Sequence, residues 1–250
     1  YYFLPMAGLD YFCTHFIRLG FLILAVIVGV VYYEHNHRED GISSGWKAWV
    51  CARLITAAEQ HNMLDNEKKE LLSQVSGVVV EVGCGSGQNF KFYPPEVTKL
   101  IAIEPNLEMY PLIEEAKRNV YNVLDIDVQP AIAQEMSHVE DESVDYVVFF
   151  HVLCTINDVD GALEEAKRIL KPGGKAIFLE HVADEDSSSF RRRVQNFVAP
   201  VWRVIGDGCR SNRETWTYIA EHFSDVQIEH FDANVVTAII QPHIKGIATK

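Results

Sequence analysis

The stretch Val78–Phe90, VVVEVGCGSGQNF, restricts the fold more than any other part of the 250-residue chain. A run of β-branched residues ends beside an acid, Glu81, and Gly83, Gly85 and Gly87 follow at alternate positions. β-Branched side chains favour a strand. Glycines directly after it open backbone angles closed to other residues and let the main chain approach a ligand closely. Strand, glycine turn and helix form the ligand corner of a doubly wound α/β sheet, where an acid about 20 residues further on grips a ribose diol. Glu104, at the end of KLIAIEP, stands at that place. The pattern therefore points to a ligand that contains a nucleoside. The dinucleotide fingerprint GxGxxG is excluded, because it needs glycine at position 88 or 90, where Gln88 and Phe90 stand. No GxxxxGK[ST] occurs, so a phosphate-binding P-loop is excluded as well.

Apolar strand-like runs alternate with amphipathic stretches from Val78 onward. VVVEV, KLIAIEP, Val144–Leu153 and Lys175–Val182 read as strands, and LEMYPLIEEAKRNV reads as a helix. DVDGALEEAKRILKPGG reads as a second helix, with Gly173-Gly174 as its stop signal. The tail from Asp225 reads as two final strands around a loop. Strands this apolar, alternating with helices, belong to a parallel sheet covered on both faces. Ser211 with Glu214 reads as a capping box that starts the helix of RETWTYIAEHF.

The N-terminal region differs from the rest. Leu19–Tyr33 carries no charge and is ~22 Å long as a helix. Counted back through YFCTHFIR it reaches ~30 Å, enough to cross a bilayer if Arg18 snorkels. The Tyr32-Tyr33 pair resembles an interfacial belt, and no small-residue cleavage site follows. A membrane anchor is expected over residues 1–40, with linking or interfacial helices over 41–75. Trp46, Trp49, Val50 and Leu54 place one such helix at Gly45–Gln60, either on the bilayer surface or against the domain of residues 76–250.

Composition narrows the function classes. A formal net charge of -13 argues against a nucleic-acid surface. The run Arg191–Arg193 reads as a solvated helix face. Five cysteines, Cys13, Cys51, Cys84, Cys154 and Cys209, are scattered and show no CxxC or Cys/His spacing, so no metal site is expected. Together with the absence of an Asn-x-Ser/Thr acceptor, this fits a reducing, cytosol-facing location.

EVGCGSG, the acid of IAIEP and RILKPGG together resemble the class I S-adenosylmethionine (SAM) methyltransferases over roughly Leu71 to Lys250. EVGCGSGQNFKFYPP, the VLC of HVLCTI, LEHVA, the DGC of IGDGCRSNRETW and PHIKGIATK resemble more closely the membrane-anchored methyltransferase-like-seven, or microsomal thiol S-methyltransferase, family. The resemblance implies a Rossmann-like fold with a mostly parallel seven-stranded sheet, and SAM as methyl donor. It implies an N-terminal anchor in the endoplasmic reticulum and lipid droplets, with the catalytic domain facing the cytosol. Glu81, Gly83, Gly85 and Gly87 correspond to the turn that holds the methionine part of SAM, with Cys84 as a small filler within it. Glu104 corresponds to the ribose-binding acid, followed by Asn106 beside the adenosine. Ala131–Met136 corresponds to the adenine loop, with Ile132 where many relatives have Asp; adenine contact then falls to Ala133, Gln134 or backbone. His151 and Leu153 correspond to positions that line the methyl-donor pocket.

Methyl transfer from a sulfonium is an in-line displacement that needs alignment and exclusion of water. A thiol acceptor needs little further help, since its pKa is about 8.5. A hydroxyl needs a positioned base. The sequence shows no unambiguous base, only the candidates His151 and His181, and this fits a small lipophilic thiol. Phe190, Val194, Phe197, Val198, Val201 and Ile205 fall on one helical face, interrupted by Pro200, and either roof the acceptor pocket or pack on the sheet. Two alternatives stand beside this reading: O- or C-methylation of a membrane quinone or lipid, and a non-catalytic scaffold at membranes or lipid droplets.

Overall fold

A computed structural model describes residues 29, 63–120, 125–235 and 237–250. Chain contacts divide the protein into a unit of Tyr1–Glu39, of which only the helical, exposed Gly29 is described, and a unit of Asp40–Lys250. The expected anchor and the expected helix at Gly45–Gln60 otherwise lie outside the described residues. Among the described residues, no helix is long and apolar enough to cross a membrane.

The elements run α1 (Asp65–Leu72), β1 (Gly77–Val82), β2 (Val97–Ile103), α2 (Tyr110–Arg118), β3 (Ile126–Gln129), β4 (Val144–Phe150), α3 (Val159–Ile169), β5 (Leu170–His181), α4 (Phe190–Ile205), α5 (Thr215–His222), β6 (Asp225–Asp232) and β7 (Pro242–Thr249). Seven strands form one sheet in the order β3-β2-β1-β4-β5-β7-β6. Pairings are parallel from β3 to β5, and β7 runs antiparallel between β5 and β6. The order reverses between β1 and β4, which opens a crevice at their C-terminal ends.

The apolar strands are explained by burial on two faces. Val147 and Phe149 of β4 join one core with Val80, Val82 and Phe178, under Ala162, Leu163, Ala166 and Ile169 of α3. Val148 and Phe150 join the opposite core with Val79, Leu100, Ile177 and Leu179, against Leu71 and Leu72 of α1 and Ile113 of α2. The α3 residues recur at a helical period, and burying each large side chain stabilises the fold by about 1.5–3 kcal/mol. Asp158 starts α3 by accepting from the Gly161 amide at 3.0 Å.

Several boundaries differ from the sequence reading. The Gly173-Gly174 pair does not stop α3: the helix ends at Ile169, and Leu170 pairs with Val144 at the start of β5. Pro172 disfavours helical angles at the residue before it, so the chain is extended ahead of the glycines. LEMYPLIEEAKRNV divides into a 3₁₀ turn at Leu107–Met109 and α2, because Pro111 suits only a first helical turn. β3 is too short and mixed to read from periodicity. The expected capping box is absent: Glu214 itself caps α5 without a side-chain bond to it, and its carboxylate pairs with Arg192 at 2.7 Å. Arg192 is correspondingly buried, not solvated, and Arg191 bonds Asp184 and Asp232. α4 continues through Pro200, and its apolar stripe does not pack on the sheet, since Phe190, Phe197 and Val201 are exposed.

Candidate functional site

The glycine turn follows β1 as the sequence places it. Gly83, Gly85 and Gly87 all have positive φ, at 66°, 57° and 79°. A Cβ at Gly83 would stand 2.5 Å from a methyl of Val152, and one at Gly87 would stand 2.8 Å from the Phe90 ring. The turn is fixed to the end of β2 by the amides of Gly83 and Cys84, which donate to the Ile103 carbonyl at 2.8 and 3.1 Å.

Glu104 is buried, and its carboxylate joins the two strand ends. One oxygen accepts from the Gly85 amide and the other from the Asn106 amide, each at 2.9 Å. Asn106 caps the following 3₁₀ turn by accepting from the Glu108 amide at 3.0 Å. A carboxylate oxygen offers two lone-pair directions, so Glu104 keeps acceptor capacity for a diol. Tyr110, which the sequence reading missed, contributes a buried hydroxyl with no protein partner. Burial and the nearby Cys84 and Glu104 raise its pKa, so it stays a donor. Its only sequence signal is an aromatic residue six positions after the acid. A glycine cradle, a fixed acid and an unpartnered buried hydroxyl fit an adenosine-containing donor.

Glu81 lies in β1, two residues before Gly83. Its two oxygens accept from Asn89 Nδ2 at 2.7 Å and from the Tyr93 hydroxyl at 3.0 Å, and the residue is buried. It thus ties the segment after the glycine turn to the end of β1. Cys84 is buried within the turn, consistent with a filler. The Ala131–Met136 loop is held from α3: Glu165 accepts from the Met136 amide at 2.8 Å, and Arg168 donates to the Met136 carbonyl at 3.0 Å. Ala133 is buried and Gln134 half-buried in that loop.

At the end of β4 the expected strand stops three residues early. His151 has φ 54°, an uncommon angle for a non-glycine residue. Glu180, fully buried at the end of β5, holds the loop that follows. Its carboxylate accepts from the amides of Val152 at 2.8 Å, Leu153 at 2.9 Å and Cys154 at 3.3 Å. Burial, then the nearby Cys154, raise its pKa well above the usual range. The sequence signal for Glu180 was an acid inside an otherwise apolar strand.

His151, His181 and His243 lie together, with ring centroids 5.3–6.1 Å apart. His243 Nδ1 lies 2.9 Å from the Gln241 carbonyl, which can only accept, so Nδ1 carries the proton. Its Nε2 then accepts from His151 Nε2 at 3.2 Å, which leaves His151 Nδ1 bare. Burial keeps both rings neutral: the His151 pKa falls well below its usual value, and that of His243 is pushed down to about 4. On the other side, His181 Nε2 lies 3.2 Å from Cys209 Sγ. Cys154 completes this second group, although its spacing from His181 and Cys209 in the sequence carries no ligand signature. The hydrogen bond with Cys209 lowers the Cys154 thiol pKa and raises that of Cys209. The two histidines named from sequence thus sit in one cluster, with different partners.

Known proteins are similar to this chain at both sequence and fold level. Residues 80–178 match the family described as "Methyltransferase domain". Human thiol S-methyltransferase TMT1A is 35% identical over 82% of this chain and 90% of its own length. Rat thiol S-methyltransferase TMT1B is 33% identical over 77% and 82%. Among solved structures, a SAM-dependent methyltransferase of Thermotoga maritima superposes with TM-score 0.55 at 22% identity, covering 81% of this chain and 99% of that one. The N-methyltransferase NodS of Bradyrhizobium japonicum, bound to S-adenosyl-L-homocysteine, gives 0.54 at 17%, covering 77% and 87%.

Glu104→Ala should weaken SAM binding by about 10- to 100-fold, since it removes both acceptors for the diol and leaves the Gly85 amide open (about 1.5–3 kcal/mol). Calorimetry on the folded variant checks this, and unchanged affinity would defeat the assignment. The depressed pKa of His243 predicts a pH dependence of stability. Below about pH 6.5 the unfolded chain takes up a proton that the folded ring refuses until about pH 4. Stability should fall by up to roughly 3 kcal/mol across that window, and His243→Asn should flatten the slope. Urea titrations at several pH values compare the two; equal slopes would show that His243 does not contribute.

Proposed function

The chain belongs to the thiol S-methyltransferase family that includes human TMT1A and rat TMT1B, and on that footing we propose that it methylates small lipophilic thiols at a membrane surface. It is a SAM-dependent methyltransferase. SAM supplies an activated methyl group and leaves as a neutral thioether. The glycine turn, Glu104 and Tyr110 would hold the nucleoside end, and the Ala131–Met136 loop would hold the adenine. The loop from His151 to Cys154 packs on the turn through Val152 and Gly83. That contact sets the β4 loop against the glycine turn that would hold the donor.

The thiol reading is carried by the 35% identity to a thiol S-methyltransferase across 90% of that relative. Chemistry supports it. A thiol ionises by itself near neutrality, so the site needs to align it rather than to supply a base, and the His151 ring, neutral and with its pKa held low by burial, is not required to take the proton. The scaffold alternative gives no account of the buried acid and glycine cradle, which a scaffold does not need.

Membrane attachment is supported by the uncharged run Leu19–Tyr33 and by the apolar residues that α4 exposes. The endoplasmic reticulum or lipid droplets, with the domain in the cytosol, fit the missing glycosylation acceptor.

Assay of SAM-dependent methylation against alkyl thiols, phenols and amines should give turnover with thiols. The kcat/KM should rise with pH along each thiol's own ionisation. Turnover of phenols or amines with thiols inert would sink the thiol assignment while leaving the methyltransferase intact. Deletion of residues 1–33 should move the protein from the membrane to the soluble fraction. A shortened chain that stays wholly membrane-bound would transfer the anchoring role to another segment, such as that around Trp46 and Trp49.

A further inference from the structure

Cys154, His181 and Cys209 come from three separate segments: the loop after β4, the last residue of β5 and the turn after α4. Their ligand atoms all lie within 4.8 Å of one another, and all three residues are buried. A tetrahedral zinc ion, with bonds of about 2.0–2.1 Å to nitrogen and 2.3 Å to sulfur, separates its donors by roughly 3.4–3.8 Å. The 3.2 Å between His181 Nε2 and Cys209 Sγ is close to that spacing. Two thiols and an imidazole are the donor set that zinc favours.

The surroundings point the same way. The Trp202 indole N–H can only donate, and it donates to Cys209 Sγ at 2.9 Å, as groups around thiolate ligands do. The Arg213 guanidinium is buried nearby, bonded to the carbonyls of Leu153 and Ile156, and places a positive charge beside the two sulfurs. His181 Nδ1 has no hydrogen-bond partner, so Nε2, which faces the Cys209 sulfur, is the ring nitrogen engaged in this group.

We propose that Cys154, His181 and Cys209 bind a zinc-class divalent cation whose fourth position takes the sulfur of the acceptor thiol. The second half rests on the thiol reading of the preceding subsection. Structural zinc sites have four protein ligands, whereas catalytic sites have three and an open position. Among the described residues the group holds three. It also adjoins the donor site, since Cys154 and the Val152 that packs on Gly83 share one short loop. Coordination replaces the acceptor's S–H bond with a metal–sulfur bond, and the proton leaves to solvent. The bound thiolate's electron pair then forms the new carbon–sulfur bond. The bond between methyl and sulfonium breaks, and its pair returns to the donor sulfur. The product thioether carries no charge and is a weak ligand, so it dissociates.

Metal analysis of the full chain purified without chelator should find about one zinc per molecule. Cys154→Ser and Cys209→Ser should lose it while still binding S-adenosylhomocysteine, which reports the fold. Trp202→Phe, which spares the ligands, should lower zinc affinity by about 10-fold. Cobalt(II) in place of zinc should give the intense visible bands of a tetrahedral thiolate site. An alkyl thiol added without SAM should shift those bands. Protein with no zinc and no such cobalt spectrum, or with a Cys154–Cys209 disulfide instead, would overturn the proposal. Cobalt bands unmoved by thiol would overturn the open position. Metal-free protein that methylates thiols at the full rate would overturn the metal's role and leave the thiol function standing. Loss of the thiol function itself would show only in the acceptor panel, with zinc still bound.

Discussion

The Glu180 carboxylate, fully buried at the end of β5, is the interaction on which the functional end of the sheet depends. Three consecutive amides, from Val152 to Cys154, converge on it. Those amides follow a strand that has ended, so no neighbouring strand is available to pair with them. Buried amides without partners would each cost about 1–3 kcal/mol. A single acid from the adjacent strand satisfies all three and turns the chain sharply after His151. The turn sets Val152 against Gly83 and aims Cys154 toward the end of β5. The glycine turn and the group of Cys154, His181 and Cys209 therefore share one anchor.

A second set of buried polar groups holds the segments beyond β5 over that end. Gln195 of α4 is fully buried and accepts from the Asp184 amide while donating to the carbonyls of Val182, Ser211 and Ile239. Arg192 bonds the Asp184 carbonyl and Glu214, and Arg213 bonds the β4 loop. α4 is thus fastened by its polar side and turns Phe190, Phe197 and Val201 outward, the reverse of an ordinary surface helix. Because Cys209 sits in the turn that follows, this inverted attachment is also what brings its sulfur to His181.

The donor half of the site was largely legible. Gly83, Gly85, Gly87 and Glu104 are local or fixed in spacing, because a strand and its turn impose the same geometry wherever the motif occurs. Tyr110 escaped because an aromatic residue in a helical stretch carries no signal of its own. Glu81 was read as a cofactor contact; that it also accepts from Asn89 and Tyr93 was not legible, because no spacing rule announces such bonds. The apolar stripe of α4 was read as roofing a pocket or packing on the sheet, and its exposed members Phe190, Phe197 and Val201 were not foreseen, because periodicity reports a face and not the direction in which that face is turned.

By itself, the sequence determined the α/β class, the order of most strands and helices, the glycine corner and its acid. Each of these follows from periodicity or from backbone angles that only certain residues adopt. Tertiary structure decided what lies opposite the corner. His151, Cys154, His181, Cys209 and His243 are spread over more than ninety positions, and only the pairing of β5 with β4 and β7, with α4 fastened above, brings their side chains together. Contacts of that range depend on how the sheet is ordered and how loops are anchored on it, and neither is written in the spacing of the residues concerned.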